Sequence, residues 1–281
     1  MSTLIGAFLV HVVVGSQYAW GNMSPYIVSY YRNIGHEHVN QSQFYAILPI
    51  IVVVSTLTFP LGMYLTNQYG SRKVIFCGAL FCCFATFVSS IAKQPATFFV
   101  VYAGAFGIGK GFLYPAPLRA AWSHLPGRTG FVSGFIVSGL GVGAFVYGFI
   151  ISLLVNPDNK HPVRTEIQPD VFEHVFEKEI SDRVPRMLFI LGICWAVQLF
   201  VGLILITNYV KPEVQIEDSE ANWEDMQIKK LEEIASKTPI MKAVCSKEFY
   251  HLYLIAISQI FYGYYIINSF KSYGQDYIED D

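Results

Sequence analysis

Lys110 lies within "GIGKGFLYPAP" (107–117), just after the nearly unbroken apolar run "PATFFVVYAGAF". An ammonium group in such surroundings costs a few kcal/mol on membrane-insertion scales. Three arrangements offset that cost. The lysine binds an anionic ligand or serves a coupling ion, it pairs with a buried acid, or it snorkels to the headgroups along its apolar stem. Helical spacing puts Tyr102, Phe106, Lys110, Leu113, Tyr114 and Pro117 on one broad face. Gly104, Gly107 and Gly111 form an adjoining small face suited to a neighbouring helix. A second polar set interrupts the first apolar run: His11, Ser16, Gln17, Tyr18, Trp20 and Asn22. His11 reads as a packing hydrogen-bonder ahead of a proton carrier. Trp20 and Tyr26 fit an interfacial aromatic belt as an alternative. Ser138 and Gln198 are polar residues in other spans without an assigned role.

No other chemistry stands out. No Cys/His spacing fits zinc, and no dinucleotide fingerprint, Walker loop or nucleophile elbow is present. The expectation is a non-enzyme without cofactor or metal. Cys77, Cys82, Cys83 and Cys194 lie in apolar spans and Cys245 in a polar linker, which argues against a disulfide framework. A net charge of −2 gives no reason to expect a nucleic acid.

The elements that must position Lys110 follow from hydropathy. Of 281 residues, 53% are hydrophobic and only 14% charged, about half the charged share of a soluble domain. A spanning helix needs roughly 20 apolar residues. Such runs lie near 4–30, 44–66, 74–92, 97–119, 130–154, 187–210 and 249–270, which predicts an all-α, multi-pass integral membrane protein embedded in a lipid bilayer. On that reading Lys110 is roughly 20 Å along the fourth helix at about 1.5 Å per residue. The first run is too long and aromatic for a signal peptide. Short linkers make the first five helices antiparallel neighbours. Residues 155–186 form a longer polar loop, and residues 211–248 a charged linker. In that linker Trp223, Met226, Ile228, Leu231 and Ile234 recur at helical spacing, as in a short amphipathic helix. Arg72, Lys73, Arg119 and Arg128 outnumber Arg32 and Lys93 in the short loops, placing the N-terminus and the 211–248 linker in the cytoplasm. "NQS" at Asn40 is formally a glycosylation sequon but sits too close to the second span to be used. Within the fifth run, Gly130 and Gly134, then Gly139 and Gly143, are spaced four apart. That spacing suits close helix packing rather than ligand contact.

"FPLGMYLTNQYGSRKV" resembles the signature loop of the major facilitator superfamily: Gly70, Arg72 and Lys73 match, while Asn67 and Gln68 replace the usual acid and base. Gly70 is expected to supply a tight turn. "GKGFLYPAPLRAAWSHLPGRTGFVSGFIVSGLGVGAFVYG" resembles the oxalate/formate antiporter and monocarboxylate porter branches through Tyr114, Pro115, Pro117, Trp122, Pro126, Arg128, Gly130 and Gly134 in order. "GSQYAWGNMSPYI" and "INSFKSYGQDYIEDD" resemble the first and seventh helices of the former branch. The resemblance implies a six-helix bundle over 1–210, the linker over 211–248, and a seventh helix over 249–281 opening a second half that is missing from this chain. It implies alternating-access transport of a small organic anion, a mono- or dicarboxylate. Lys110 would attract the carboxylate, Gln17, Tyr18 and Tyr114 would hydrogen-bond it, and Trp20 and Phe106 would wall the site. Two departures bear on coupling. Leu140 follows Gly139 where an antiporter motif carries proline, and Val14 replaces an acid found in monocarboxylate porters. Two rivals remain: a seven-helix receptor, against which Lys271 lies at the end of the seventh span, and an inactive half-transporter remnant.

Overall fold

The computed structural model describes residues 1–168, 171–207 and 245–277. Among the described residues six helices are long and apolar enough to cross a membrane: α1 (Ser2–Asn33), α2 (Gln41–Tyr69), α3 (Ser71–Ile91), α4 (Pro95–His124), α5 (Thr129–Val155) and α6 (Lys178–Leu205). A seventh helix, α7 (Lys247–Tyr277), follows, but is not among those six. The expected amphipathic helix in the 211–248 linker lies outside the described residues.

The helices pack in a pattern that repeats itself. Helix α1 lies against α5 and α6, α4 against α2 and α3, and α3 against α6. Exchanging the first three helices for the last three turns α1–α5 into α4–α2 and α1–α6 into α4–α3, and leaves α3–α6 unchanged. Because three is odd, α1 and α4 run in opposite directions, as an inverted three-plus-three repeat requires. A glycine stands at each of these five crossings. Gly15, Gly139 and Gly143 serve α1–α5, Gly62, Gly107 and Gly111 α2–α4, Gly78 and Gly109 α3–α4, Gly6 and Gly202 α1–α6, and Gly192 α3–α6. Small residues let backbones approach where lipid offers no hydrophobic force between helices.

The buried stripe of α5 is Val132, Ile136, Gly139, Gly143, Tyr147, Ile151 and Val155. Gly130 and Gly134 do not belong to it, and a Cβ on either would meet nothing within 4 Å among the described residues. The expectation that they pack like the second pair is therefore corrected. Each lies two residues from a stripe position, roughly 200° around a helix of 3.6 residues per turn.

The loops alternate between two ends. At one end the 155–186 segment, expected as an irregular polar loop, contains a β-hairpin: β1 (Val163–Gln168) pairs antiparallel with β2 (Val171–Val175), with Thr165 opposite Glu173. Residues after β2 strap this end to α1. The Phe176 N–H donates to Ser29 Oγ (2.9 Å), Asn33 Nδ2 donates to the Phe176 carbonyl (3.2 Å), and the Phe176 ring lies 4.5 Å from that of Tyr26. Tyr26 is thus buried in protein instead of lying in a lipid-facing belt. At the other end Thr3, His124 and Thr207 tie α1, α4 and the residues after α6 together through contacts of 2.9–3.2 Å. Gly70 is also at that end.

Candidate functional site

The two most enclosed spans are α1 and α4, the helices that carry the predicted polar residues. Both depart from regular α-helix. Residues Ser16–Ala19 of α1 form a 3₁₀ turn, and Phe99–Ala105 of α4 are wound as π-helix. Such departures in mid-helix often mark a hinge or a functional site.

Two ring contacts set the level of α1 against α4. The Trp20 and Tyr102 rings lie 5.5 Å apart, and the His11 and Tyr114 rings 5.2 Å. The helices are antiparallel, so Gln17 and Tyr18 on α1 and Phe106 and Lys110 on α4 fall between these two rungs. The direction of the Lys110 side chain follows from its neighbours. A Cβ on Gly109 would meet Cys82 Sγ of α3 at 2.5 Å, and one on Gly111 would overlap Thr58 of α2. Residue 110 lies about 100° from each of these. It therefore projects away from both α2 and α3, towards the level shared with α1.

Lys110 is 7% exposed, near the middle of α4. Among the described residues its ammonium has no carboxylate within ion-pair distance and no hydrogen-bond acceptor. Gln17 is 2% exposed, and neither its amide nitrogen nor its amide oxygen has a partner. A buried unpaired amide carries a desolvation cost of about 1–3 kcal/mol. Gln17 and Lys110 thus leave polar groups without a protein partner among the described residues, on the stretches of α1 and α4 between the two ring contacts. His11, which the sequence suggested as a packing hydrogen-bonder ahead of a proton carrier, has a further unpartnered atom. Its Nδ1 donates to the Ala7 carbonyl at 3.1 Å, which leaves Nε2 as a buried, unpartnered acceptor.

The remaining predicted residues separate into groups. Tyr18 and Tyr114 are partly buried, and Tyr114 stacks on Phe59 of α2 at 5.3 Å. Phe106 is fully buried between Tyr102 (5.9 Å) and Trp195 of α6 (5.3 Å). Trp20 donates its indole N–H to the Phe44 carbonyl at 3.2 Å and stacks with Phe44 and Phe98. Both side chains are thus packed into the buried aromatic core. Gly70, Arg72, Lys73 and Arg128 lie at the end opposite the hairpin, remote from Lys110. Gly70 has φ 85° and ψ 153°, a region essentially confined to glycine. Tyr102, which helical spacing placed on the Lys110 face, and Tyr264, not singled out in the sequence, also belong to this neighbourhood. The four-residue spacing Phe98–Tyr102–Phe106–Lys110 signalled the first of them. Nothing in the sequence alone signalled the second.

The Major Facilitator Superfamily model matches residues 7–277. The apicoplast pyruvate carrier 1 of Toxoplasma gondii is 26% identical over 73% of this chain and 45% of its own length. The oxalate:formate antiporter of Oxalobacter formigenes is 26% identical over 53% of this chain and 34% of its own. Monocarboxylate transporter 9 of Rattus norvegicus is 26% identical over 36% and 20% respectively. The chain spans less than half the length of these curated relatives.

Proposed function

The chain belongs to the major facilitator superfamily, and on that premise we propose that it moves small organic anions, mono- or dicarboxylates, across the membrane by alternating access, with Lys110 holding the carboxylate. The family membership supports reading it as a multi-pass membrane transporter instead of an enzyme, and it favours that reading over a seven-helix receptor. The observation that carries the proposal is the largely buried Lys110, without an ion-pair partner among the described residues, on the stretch of α4 that faces the stretch of α1 bearing the unpartnered Gln17 amide. With no acid beside it among the described residues, a structural pair does not account for Lys110. Its mid-helix position does not favour snorkelling.

A carboxylate supplies what these groups lack. One oxygen accepts from the ammonium, a charge-assisted bond about twice as strong as a neutral one. The other accepts from Gln17 Nε2, and the hydroxyls of Tyr18 and Tyr114 stand at the same stretch of the two helices. The tight glycine crossings make the six-helix bundle one stiff body, suited to rocking as a unit against a second half that completes the site. The seventh helix is proposed to span the membrane as the first element of that half, and the 211–248 linker to be cytoplasmic. The names of the relatives, a pyruvate carrier, an oxalate:formate antiporter and a monocarboxylate transporter, support the carboxylate reading.

The test is uptake of radiolabelled pyruvate, formate and oxalate into proteoliposomes containing the full-length protein, with pyruvamide as the uncharged comparison. Saturable uptake of at least one carboxylate and none of the amide is expected. Correctly inserted protein that moves none of the three acids would overturn the proposal.

A further inference from the structure

Helix α7 touches the six-helix bundle through few of its described side chains. Tyr250, Tyr253, Leu254, Ile257, Tyr262 and Tyr265 are exposed, whereas Tyr264 and Ile267 pack against the buried core. The ring of Tyr264 lies 6.1 Å from that of Tyr18, inclined by 34°. The helix leans on the Trp20–Asn33 half of α1, the half that carries the hairpin strap.

Tyr18 occupies a particular place. It belongs to the 3₁₀ turn Ser16–Ala19, next to the unpartnered Gln17 amide. It lies on the hairpin side of the level of Lys110, because the His11–Tyr114 rung is on the other side of that level and the Trp20–Tyr102 rung on this one. Above it, α1 is closed by protein: Trp20 is 1% exposed and Tyr26 3%. The strap residues Phe176, from the loop between α5 and α6, and Ser181, in the first turn of α6, hydrogen-bond to α1, so they travel with the six-helix bundle. The ring pair Tyr18–Tyr264 joins that bundle to a helix outside it.

We infer that Tyr264 is a further residue of the ligand site, closing it against Tyr18 on the hairpin side, so that this pair must part before a ligand reaches Lys110 from that side. The inference rests on the Lys110 reading for the identity of the chamber. A pair of partly buried tyrosines suits the task. Two rings give contact area that excludes water when together, and their hydroxyls find water when apart. The 3₁₀ turn beneath Tyr18 offers backbone that adjusts more readily than a continuous α-helix.

The test uses the full-length protein in proteoliposomes, with its native cysteines replaced by serine and new cysteines in place of Tyr18 and Tyr264. A short bifunctional methanethiosulfonate reagent joins the two positions, and a reductant releases them. Linking is expected to lower carboxylate exchange at least tenfold, with recovery on reduction. Single-cysteine variants treated in the same way should lose less exchange than the linked pair, because an adduct at one position does not hold the two helices together. An independent readout needs no substrate. In Tyr264→Ala, a cysteine at position 17 should react at least tenfold faster with an impermeant thiol reagent applied from the hairpin side. Tyr264→Phe, which keeps the ring, should react at about the wild-type rate and serves if the alanine variant folds poorly. Unchanged labelling in Tyr264→Ala, or undiminished exchange in the linked protein, overturns the gate. If labelling changes as expected but no carboxylate moves, the Lys110 reading fails and the gate stands.

Discussion

Gly143 of α5 sits against the Val12 carbonyl of α1 so closely that a Cβ would overlap it. At Gly134, roughly on the opposite face, a Cβ would meet nothing within 4 Å among the described residues. The same helix thus offers a test and its control. Gly143→Ala should destabilise the bundle by about 1–3 kcal/mol, the usual cost of forcing extra atoms into a packed contact. Gly134→Ala should leave stability within about 0.5 kcal/mol, as at an open surface site. Thermal unfolding of the purified variants, followed by fluorescence of a thiol-reactive dye, compares the two. Equal melting temperatures would show that α1 and α5 do not approach as described.

Gly70 joins α2 to α3 at φ 85°. A side chain there meets strain of order 1–3 kcal/mol. Gly70→Ala and Gly70→Val should both lower the amount of monodisperse protein recovered from membranes. Gly127→Ala, in the turn at the same end between α4 and α5, should not, since it has neither positive φ nor a close neighbour. Size-exclusion profiles after detergent extraction give the answer, and a normal profile for Gly70→Val would mean that the turn relaxes freely.

The six spans were legible because hydropathy over about 20 residues is a strong signal. What surrounds them was less so. The sixth helix was read from 187, yet helix begins at Lys178, because Glu179, Asp182 and Arg183 lower the hydropathy of a segment that is nevertheless helical. The hairpin hid in a charged loop, although Val163, Thr165 and Ile167, then Val171, Glu173 and Val175, alternate with their neighbours around Pro169–Asp170, the ordinary strand–turn–strand signature. The buried face of Lys110 was readable from four-residue spacing. The unpartnered state of Gln17 was not, since it depends on what α4 places opposite the 3₁₀ turn. Neither was the contact of Tyr264 with Tyr18, which joins residues 246 positions apart.

The alternation of loops places the hairpin and the Gly127 turn on opposite faces of the membrane. Cysteines introduced for Glu177 and Gly127 in a cysteine-free background should react with an impermeant maleimide from opposite sides, Gly127→Cys from the cytoplasmic side if the Arg/Lys bias sets the orientation. Labelling of both from one side would break the six-span topology.

Glu173 accepts from the Gln41 N–H at 3.1 Å and from Arg32 Nη1 at 3.4 Å. Burial raises its pKa above the ordinary carboxylate value even so, the amide and Arg32 pulling the other way. The fold therefore favours the protonated form more than the unfolded chain does. Its contribution to stability is greatest below the unfolded pKa and is lost as pH rises through the higher folded value. Melting temperature should fall as pH rises through that window, and Glu173→Gln should remove this part of the pH dependence while retaining an acceptor for Gln41. An identical pH profile in the variant would show that Glu173 is not the group responsible.

Lys110 is where the arguments converge. Gly109 and Gly111 press α4 onto α3 and α2, leaving the lysine one side to occupy, and the Gln17 amide waits at that level without a partner. If the ammonium binds substrate, Lys110→Ala loses a charged hydrogen bond of about 1.5–3 kcal/mol, which is roughly ten- to 150-fold in affinity at about 1.4 kcal/mol per decade. The variant should insert and melt at or above the wild-type temperature, because it removes a buried unpaired charge. Lys110→Arg keeps the charge but spreads it over a planar fork, so affinity or selectivity among carboxylates should shift without being abolished. A structural ion pair makes the opposite prediction for stability: alanine would strand a buried acid and lower the melting temperature. A snorkelling lysine predicts normal transport in both variants. Measuring substrate affinity and melting temperature on the same preparations separates the three, and wild-type affinity in a stable Lys110→Ala protein would remove the lysine from the site.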